Sequence, residues 1–321
     1  MQQVRAGSGV PPSVAHRPGV LRAMVVVGVV VISFSAIWVR LSGESPVTVA
    51  FFRAAYALPA LGLIGLMARK EVSRTARQRT LAFTAGLALA VDFALWHVAI
   101  ELIGAGLATV LGSIHVVIMM IVGWLLLHQR PTPIAIAAAP VALSGVFLIS
   151  GLGSDVAQGE DPVLGAIVGA TTAFLYVAYL LLLRQSSGVI DATSIGPLTE
   201  ATVGAAVGAL IMAPLDGGFT LVPTWPAHGW LAALALGSQV FAWLLIAYAL
   251  PRLEAWQTSM MLVLQPGGTV LWAYLIFDER FAASQWIGLV LVIGAVTAAA
   301  MPRSPAGPRG QDVTIAPAPT P

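Results

Sequence analysis

Four polar side chains stand isolated in long apolar stretches of this sequence and are the first candidates for chemistry: Asp92, His115, Gln239 and Gln265. A carboxylate can hold a ligand amine or a proton, an imidazole can take up and release a proton, and an amide donates and accepts hydrogen bonds at once. Asp92 is the sharpest of the four. At hydrocarbon depth a carboxylate costs roughly 2.5 to 3.5 kcal/mol on insertion scales, so it must be paired, wetted or protonated. It reads as a substrate-amine contact or a proton-coupling group with His115 as partner, against the plainer reading of a structural hydrogen bond between neighbouring segments. His115 alone reads equally well as a buried neutral ring bonding a carbonyl, and glutamine is ordinary interhelical glue.

Spacing extends the set. Asp92 and Trp96 stand at i, i+4, as do Gln239 and Trp243, which puts each polar residue and its tryptophan on one helical face. Thr258, Gln265, Thr269 and Trp272 share a face, and so do Thr172, Tyr176 and Tyr179. These faces are expected to line a central cavity. Arg53 and Glu200, nearer the ends of their segments, are candidates for guarding its mouths or for structural pairing, Arg53 lying within snorkelling reach of the surface. Pro266 directly follows Gln265 and frees the carbonyl of Leu262, which predicts a kink beside a polar residue. A metal site is not expected, cysteine is absent, and disulfide and thiolate chemistry are thereby excluded.

The elements that must position these side chains are apolar helices. The 321 residues are 58% apolar and 9% charged, against the roughly 25% charged of soluble domains. Ten runs recur: Ala23–Val39, Val47–Met67, Leu81–Ile100, Gly104–Leu127, Ile134–Leu152, Val163–Leu183, Ile195–Leu215, Trp230–Leu250, Trp256–Phe277 and Trp286–Met301. Each approaches the roughly 20 residues needed to cross a hydrocarbon core about 30 Å thick, the last being short unless it begins near Phe281. They lack the alternation of membrane strands. The predicted fold class is an all-α polytopic membrane protein of ten transmembrane helices. At 1.5 Å per residue, Asp92, His115, Gln239 and Gln265 all fall about 13 to 15 Å along the third, fourth, eighth and ninth runs, near the midplane.

Charge sorting orients the bundle. With the amino terminus in the cytoplasm, Arg5, Arg17, Arg22, Arg69, Lys70, Arg74, Arg77, Arg79, Arg130, Arg184, Arg252, Arg303 and Arg309 fall on the cytoplasmic side and only Arg40 and Arg280 outside, the positive-inside bias. Acids collect opposite: Glu44, Glu101, Asp155, Glu160, Asp161, Asp216, Asp278 and Glu279. A shift of 150 superposes Gln129-Arg130 on Glu279-Arg280, His115 on Gln265 and Thr109 on Ser259. Five runs per half is odd, so the halves must be inverted repeats, which place binding sites between them near the midplane. The expected organisation is a disordered cytoplasmic tail at 1–19, a first repeat at 20–152, a connecting loop at 153–161, a second repeat at 162–301 and a second tail at 302–321. The single lysine, Lys70, lies outside any phosphate-binding loop, so neither a nucleotide nor another cofactor is expected, nor is a catalytic residue, and the basic residues are topological, not nucleic-acid binding.

The stretch from Tyr248-Ala249-Leu250 through Leu264-Gln265-Pro266 to Phe277-Asp278-Glu279-Arg280, followed by Gly288, resembles the carboxy-terminal repeat of EamA-type transporters in the drug/metabolite transporter superfamily, and Pro46 followed by Arg53 is similar to the second-helix pattern there. The first repeat departs from it, with Val116 where a proline is usual and Gln129 where the glutamate would be. The resemblance implies ten helices around a central cavity and secondary transport, often export, of an amino acid, another metabolite or a drug-like molecule across the bacterial inner membrane. The expected partners are the lipid bilayer, a small-molecule substrate and a coupling proton, with no nucleic acid. A membrane scaffold or a lipid-modifying membrane enzyme are the alternatives; the first needs no polar midplane layer, and the second wants acids and histidines clustered at one interface.

Overall fold

The computed structural model describes residues 17–68, 73–150, 161–187, 194–277 and 282–300. Most of both tails and of the connecting loop, and the Asp278–Arg280 turn, lie outside the described residues. The described residues form ten apolar spans: α1 Pro18–Ser42, α2 Pro46–Ala68, α3 Ala76–Ile103, α4 Leu107–Leu127, α5 Pro133–Ile149, α6 Val163–Ser186, α7 Ile195–Leu215, α8 Ala227–Ala249, α9 Ala255–Phe277 and α10 Ala283–Ala300. The protein is an all-helical, multi-pass membrane protein. α5 is the shortest, ending at Ile149 before the expected Leu152. α10 begins three residues before Trp286 and so reaches a spanning length. α1 starts at Pro18, inside the stretch expected as tail, because a proline in the first turn forfeits only an amide that has no helical partner anyway.

Helix starts follow local rules. Thr75 and Gln78 form a reciprocal capping box before α3. The Thr132 side chain accepts from the Ala135 amide ahead of α5, and the Asp161 carboxylate accepts from the amides of Val163 and Leu164 ahead of α6. α3 packs along α6 and α7, α2 along α7 and α8, α1 along α8, and α5 along α10. Glycine makes two of these crossings possible. A β-carbon on Gly86 would sit 1.9 Å from the Ala201 carbonyl oxygen, and one on Gly204 2.1 Å from that of Phe83, so the backbones of α3 and α7 touch. Gly145 and Gly288 do the same for α5 and α10, at 2.7 and 2.5 Å from each other's carbonyl oxygens.

Four spans are interrupted. α1 breaks at Ser33-Phe34, α4 at Ile114 and α9 at Val263, and α8 widens into a π-helix over Leu234–Ala242. The α9 break is the expected one, since Pro266 cannot bond the Leu262 carbonyl. The matching break in α4 comes without a proline: His115 Nδ1 lies 3.0 Å from the Gly112 carbonyl oxygen beside the break, and Ser113 Oγ adds a 2.8 Å bond to the Thr109 carbonyl one turn earlier. Both halves therefore break, despite Val116.

The two faces of the bundle are sealed differently. On the acidic face, the segment before α8 is sewn to the start of α2: Val47 N donates to Asp216 Oδ2 (3.0 Å), Thr220 N to Thr48 Oγ1 (3.0 Å) and Thr224 Oγ1 to Glu44 Oε1 (3.1 Å). On the basic face, Arg74 forms a bidentate pair with Glu200 at 2.7 and 2.8 Å, with Arg79 at 3.7 Å, and Arg184 donates to the carbonyls of Leu250 and Leu253.

Because the α3–α7 crossing leaves no room for a side chain, Gly86→Val and Gly204→Val are expected to abolish the monodisperse detergent-solubilised peak. Gly62→Val and Gly294→Val, where nothing lies within 4 Å, leave it intact. Size-exclusion chromatography of the four variants checks this.

Candidate functional site

The interior layer is built by seven helices around one arginine. Arg53 on α2 donates from Nε to Gln239 Oε1 at 2.9 Å and from Nη2 to Ser238 Oγ at 3.2 Å, both on the π-helical stretch of α8. Gln239 Nε2 donates onward to Thr202 Oγ1 on α7 at 3.1 Å, and Thr202 to the Leu198 carbonyl at 2.8 Å. Ser35 Oγ donates to the Ile32 carbonyl at 2.5 Å, so across the 2.9 Å contact between the two hydroxyls Ser238 is the donor and Ser35 the acceptor. The chain ends on the carbonyl just before the break in α1. Arg53 thus reaches inward to α8 and α1 instead of snorkelling to the surface. Its guanidinium carbon also stands 5.4 Å from the centre of the Phe93 ring on α3.

Beside Phe93, Asp92 is 7% exposed and makes no hydrogen bond or ion pair among the described residues. Tyr176 on α6 is close enough to interact electrostatically with both Asp92 and Arg53. Arg53 and Tyr176 are both half-buried. An aromatic line extends through Tyr176: His115 stands edge-on to it at 5.0 Å, Tyr179 follows at 6.0 Å, and Trp243 on α8 meets Tyr179 edge-on at 5.0 Å. His115 Nε2, Tyr179 OH and Trp243 Nε1 are buried without a partner among the described residues. Buried polar atoms are seldom left so, and three along one aromatic line leave hydrogen-bonding capacity for a ligand or water.

Of the residues singled out in the sequence, Asp92, His115, Tyr176, Tyr179, Gln239, Trp243 and Arg53 come together here. Thr172 joins at the edge, its hydroxyl turned to the Gly169 carbonyl and its side chain beside Gly112. Asp92 and His115 are not hydrogen-bonded; both adjoin Tyr176. Trp96 packs elsewhere, against His97 at 5.3 Å and a cluster around Ala99, Ile103 and Ala108. Thr269 and Trp272 clamp the α1 break, donating to the Ser33 carbonyl at 2.9 Å and to Ser33 Oγ at 2.8 Å, with Phe34 stacked on Trp272 at 4.1 Å. Gln265 is half-buried, and Pro266 sits in the first turn after the break. Glu200 lies at the basic face in its pair with Arg74. Ser35, Ser238 and Thr202 were missed: small hydroxyls are common in membrane helices, and only the adjacency of Ser238 to Gln239 singles one out.

The EamA-like transporter family model matches residues 18–151 and again 163–301. The chain belongs to the EamA-like transporter family. A solved crystal structure of a protein superposes with a TM-score of 0.71 at 17% identity, covering 88% of this chain and 96% of its own, which supports the fold. A search of curated proteins returns no match. The two matched EamA segments run through the same ten helices, α1–α5 and α6–α10, so the broken helices α4 and α9 hold matching places in the two repeats. Membership makes the protein a membrane transporter of the drug/metabolite type.

The Arg53–Gln239 link is expected to behave as one unit. Arg53→Met and Gln239→Leu each lower the melting temperature, and the double variant loses less than their sum, with a coupling energy of about 0.6 to 1.7 kcal/mol. Thermal unfolding of the four proteins in detergent measures it.

Proposed function

We propose that the protein is a secondary transporter that exports a small amphoteric molecule, amino acid-like or drug-like, across the bacterial inner membrane by alternating access. The observation that carries this reading is an unpartnered buried carboxylate, Asp92, in the same layer as a guanidinium, Arg53, which stands over the ring of the neighbouring Phe93. The two charges do not neutralise one another by direct contact, so a ligand with its own ammonium and carboxylate groups fits between them. Tyr176, Tyr179 and Trp243 supply aromatic surface, and the free Tyr179 hydroxyl and Trp243 indole supply donors. A scaffold has no use for such a layer.

Orientation follows the positive-inside rule: the face of Arg74, Arg79 and Arg184 is cytoplasmic, and both termini lie there. The Arg74–Glu200 pair then closes the cytoplasmic side, joining the segment before α3 to α7. The stitches from Asp216, Thr220 and Thr224 to the start of α2 close the outer side. Alternating access requires that these two closures open in turn.

Transport into proteoliposomes tests the site. Asp92→Asn is expected to lower the initial rate of amphoteric substrates at least tenfold and to change its pH dependence; unchanged rate and pH profile would remove Asp92 from the mechanism. Since the chain has no cysteine, Tyr176→Cys gives a clean reporter of access. Glu200→Gln in that background is expected to raise labelling by a membrane-impermeant maleimide from the cytoplasmic side several-fold, with labelling from the outer side unchanged or lower.

A further inference from the structure

Between the Arg53 layer and the acidic face of the bundle, α2 and α8 meet along two facing stripes. α2 contributes Val49, Phe52 and Tyr56, and α8 contributes His228, Leu231 and Leu234, each set spaced by three or four residues along one helical face. Val49, Phe52, Leu231 and Leu234 are buried in one cluster. Trp38 of α1 closes its third side, lying so near Gly237 that a β-carbon there would stand 2.6 Å from the ring. His228, the second residue of α8, is 8% exposed and meets Phe52 edge-on at 4.4 Å between ring centres. Its Nδ1 lies 2.6 Å from the Tyr56 hydroxyl, and its Nε2 is buried with no partner among the described residues. The apolar stripe of α8 gives way to Ser238 and Gln239 about one turn beyond Leu234, where Arg53 is held. An apolar plug with one polar pair in it therefore separates the interior layer from the acidic face.

We propose that Tyr56 and His228 form the latch of the gate that closes the interior layer on this face. A neutral imidazole has one N–H and one lone pair. If Tyr56 donates, the ring proton sits on Nε2 and meets no acceptor; if Nδ1 donates, Nε2 is a lone pair that meets no donor. The closed plug thus holds one hydrogen bond and one unsatisfied polar atom in either arrangement. An all-apolar plug would seal more tightly, because replacing both partners of a buried pair by apolar groups is close to neutral, whereas removing one strands the other. The polar pair makes the seal reversible. When the stripes part, water reaches both ring nitrogens and the Tyr56 hydroxyl together, which offsets the bond that is lost.

The latch is also placed to respond to the layer beneath it. Arg53 and Tyr56 stand at i, i+3 on α2, and both bind α8, Arg53 through Ser238 and Gln239 and Tyr56 through His228. These are the side-chain hydrogen bonds that join α2 to α8 among the described residues. A ligand carboxylate that draws Arg53 off Gln239 leaves the Tyr56–His228 bond as the remaining polar tie, so occupancy of the layer loosens the gate. That use of the latch rests on the transporter reading above; the seal itself does not.

Sided labelling of the full chain in proteoliposomes, without substrate, tests this. The protein has no cysteine, so Tyr176→Cys reports access to the layer by a membrane-impermeant maleimide added to one side at a time. Tyr56→Phe keeps the ring and strands His228. It is expected to raise labelling from the acidic face several-fold and to leave labelling from the basic face unchanged or lower. Tyr56→Phe combined with His228→Leu makes the plug wholly apolar and is expected to return labelling from the acidic face to the parent rate or below it. An unchanged rate in Tyr56→Phe, an equal rise from both faces, or a double variant that labels as fast as the single one overturns the latch. A merely structural bond would loosen the protein without regard to side and would not be rescued by removing its second partner. Where Tyr56→Phe fails to elute as a folded species, His228→Leu alone, which cuts the same bond, replaces it with the same required outcome. Because the readout uses no substrate, failure here leaves the transporter reading intact, and failed transport with intact sided labelling removes only that reading.

Discussion

A guanidinium held in the interior of a membrane bundle constrains everything around it. Arg53 cannot be left with unsatisfied N–H groups where no bulk water reaches, since an unmatched charge there costs several kcal/mol. It is matched by two side chains of one helix, Ser238 and Gln239. Consecutive residues on an ordinary α-helix point about 100° apart and do not address one group easily. The π-helical stretch Leu234–Ala242 that contains both changes that geometry, in keeping with the tendency of such widenings to occur at functional positions. The arginine, the two α8 side chains and the local helix type are therefore one feature, and Thr202 and Ser35 extend it to α7 and α1. The site is organised by satisfying one cation, with Asp92 left over.

The same accounting explains the helix breaks. A broken helix releases carbonyls and amides that lipid cannot satisfy, so each break must be furnished from a neighbour or from its own side chains. In α4 the furnishing is local, by His115. In α1 it comes from across the bundle, through Thr269 and Trp272 of α9. α9 thus both carries a break and repairs one, and its second half cannot shift without pulling on Ser33 and on the aromatic stack of Phe34 and Trp38. The interruptions are mechanically linked because their hydrogen bonds are shared.

How much of this was legible in the sequence divides along physical lines. Span number and membrane residence follow from composition and length, because hydrocarbon thickness fixes how many apolar residues a helix needs. Asp92, His115 and Gln239 could be singled out as isolated polar side chains deep in apolar runs, since depth along a helix is arithmetic. What depth cannot supply is azimuth: Trp96, one turn from Asp92 in an i, i+4 pair, nonetheless packs into a separate cluster, and Trp272 faces the α1 break. Arg53 was placed near a mouth because its Cα is shallow, yet its long side chain carries the charge inward. The π-helix was not anticipated, because the Gly237-Ser238-Gln239 within Leu234–Ala242 carries no pattern that tells a widened turn from an ordinary one; it follows from a tertiary demand. The break in α4 was obscured because proline is the familiar signal, whereas here a histidine stands beside the break.

That difference in how the two halves break gives the symmetry its meaning. Inverted repeats with identical interiors would have no internal reason to respond differently to conditions on the two sides of the membrane. In this chain the equivalent positions hold a titratable His115 in one repeat and a neutral Gln265 in the other, a histidine at the α4 break and a proline at the α9 break, and Asp92 and Gln239 on the paired third and eighth helices. The fold supplies a break in each of α4 and α9, while the side chains set a histidine ring at one of them and a proline at the other. An asymmetry of this kind gives the two halves of a symmetric architecture different hydrogen bonding, so they have no reason to respond alike when a ligand favours one state over the other.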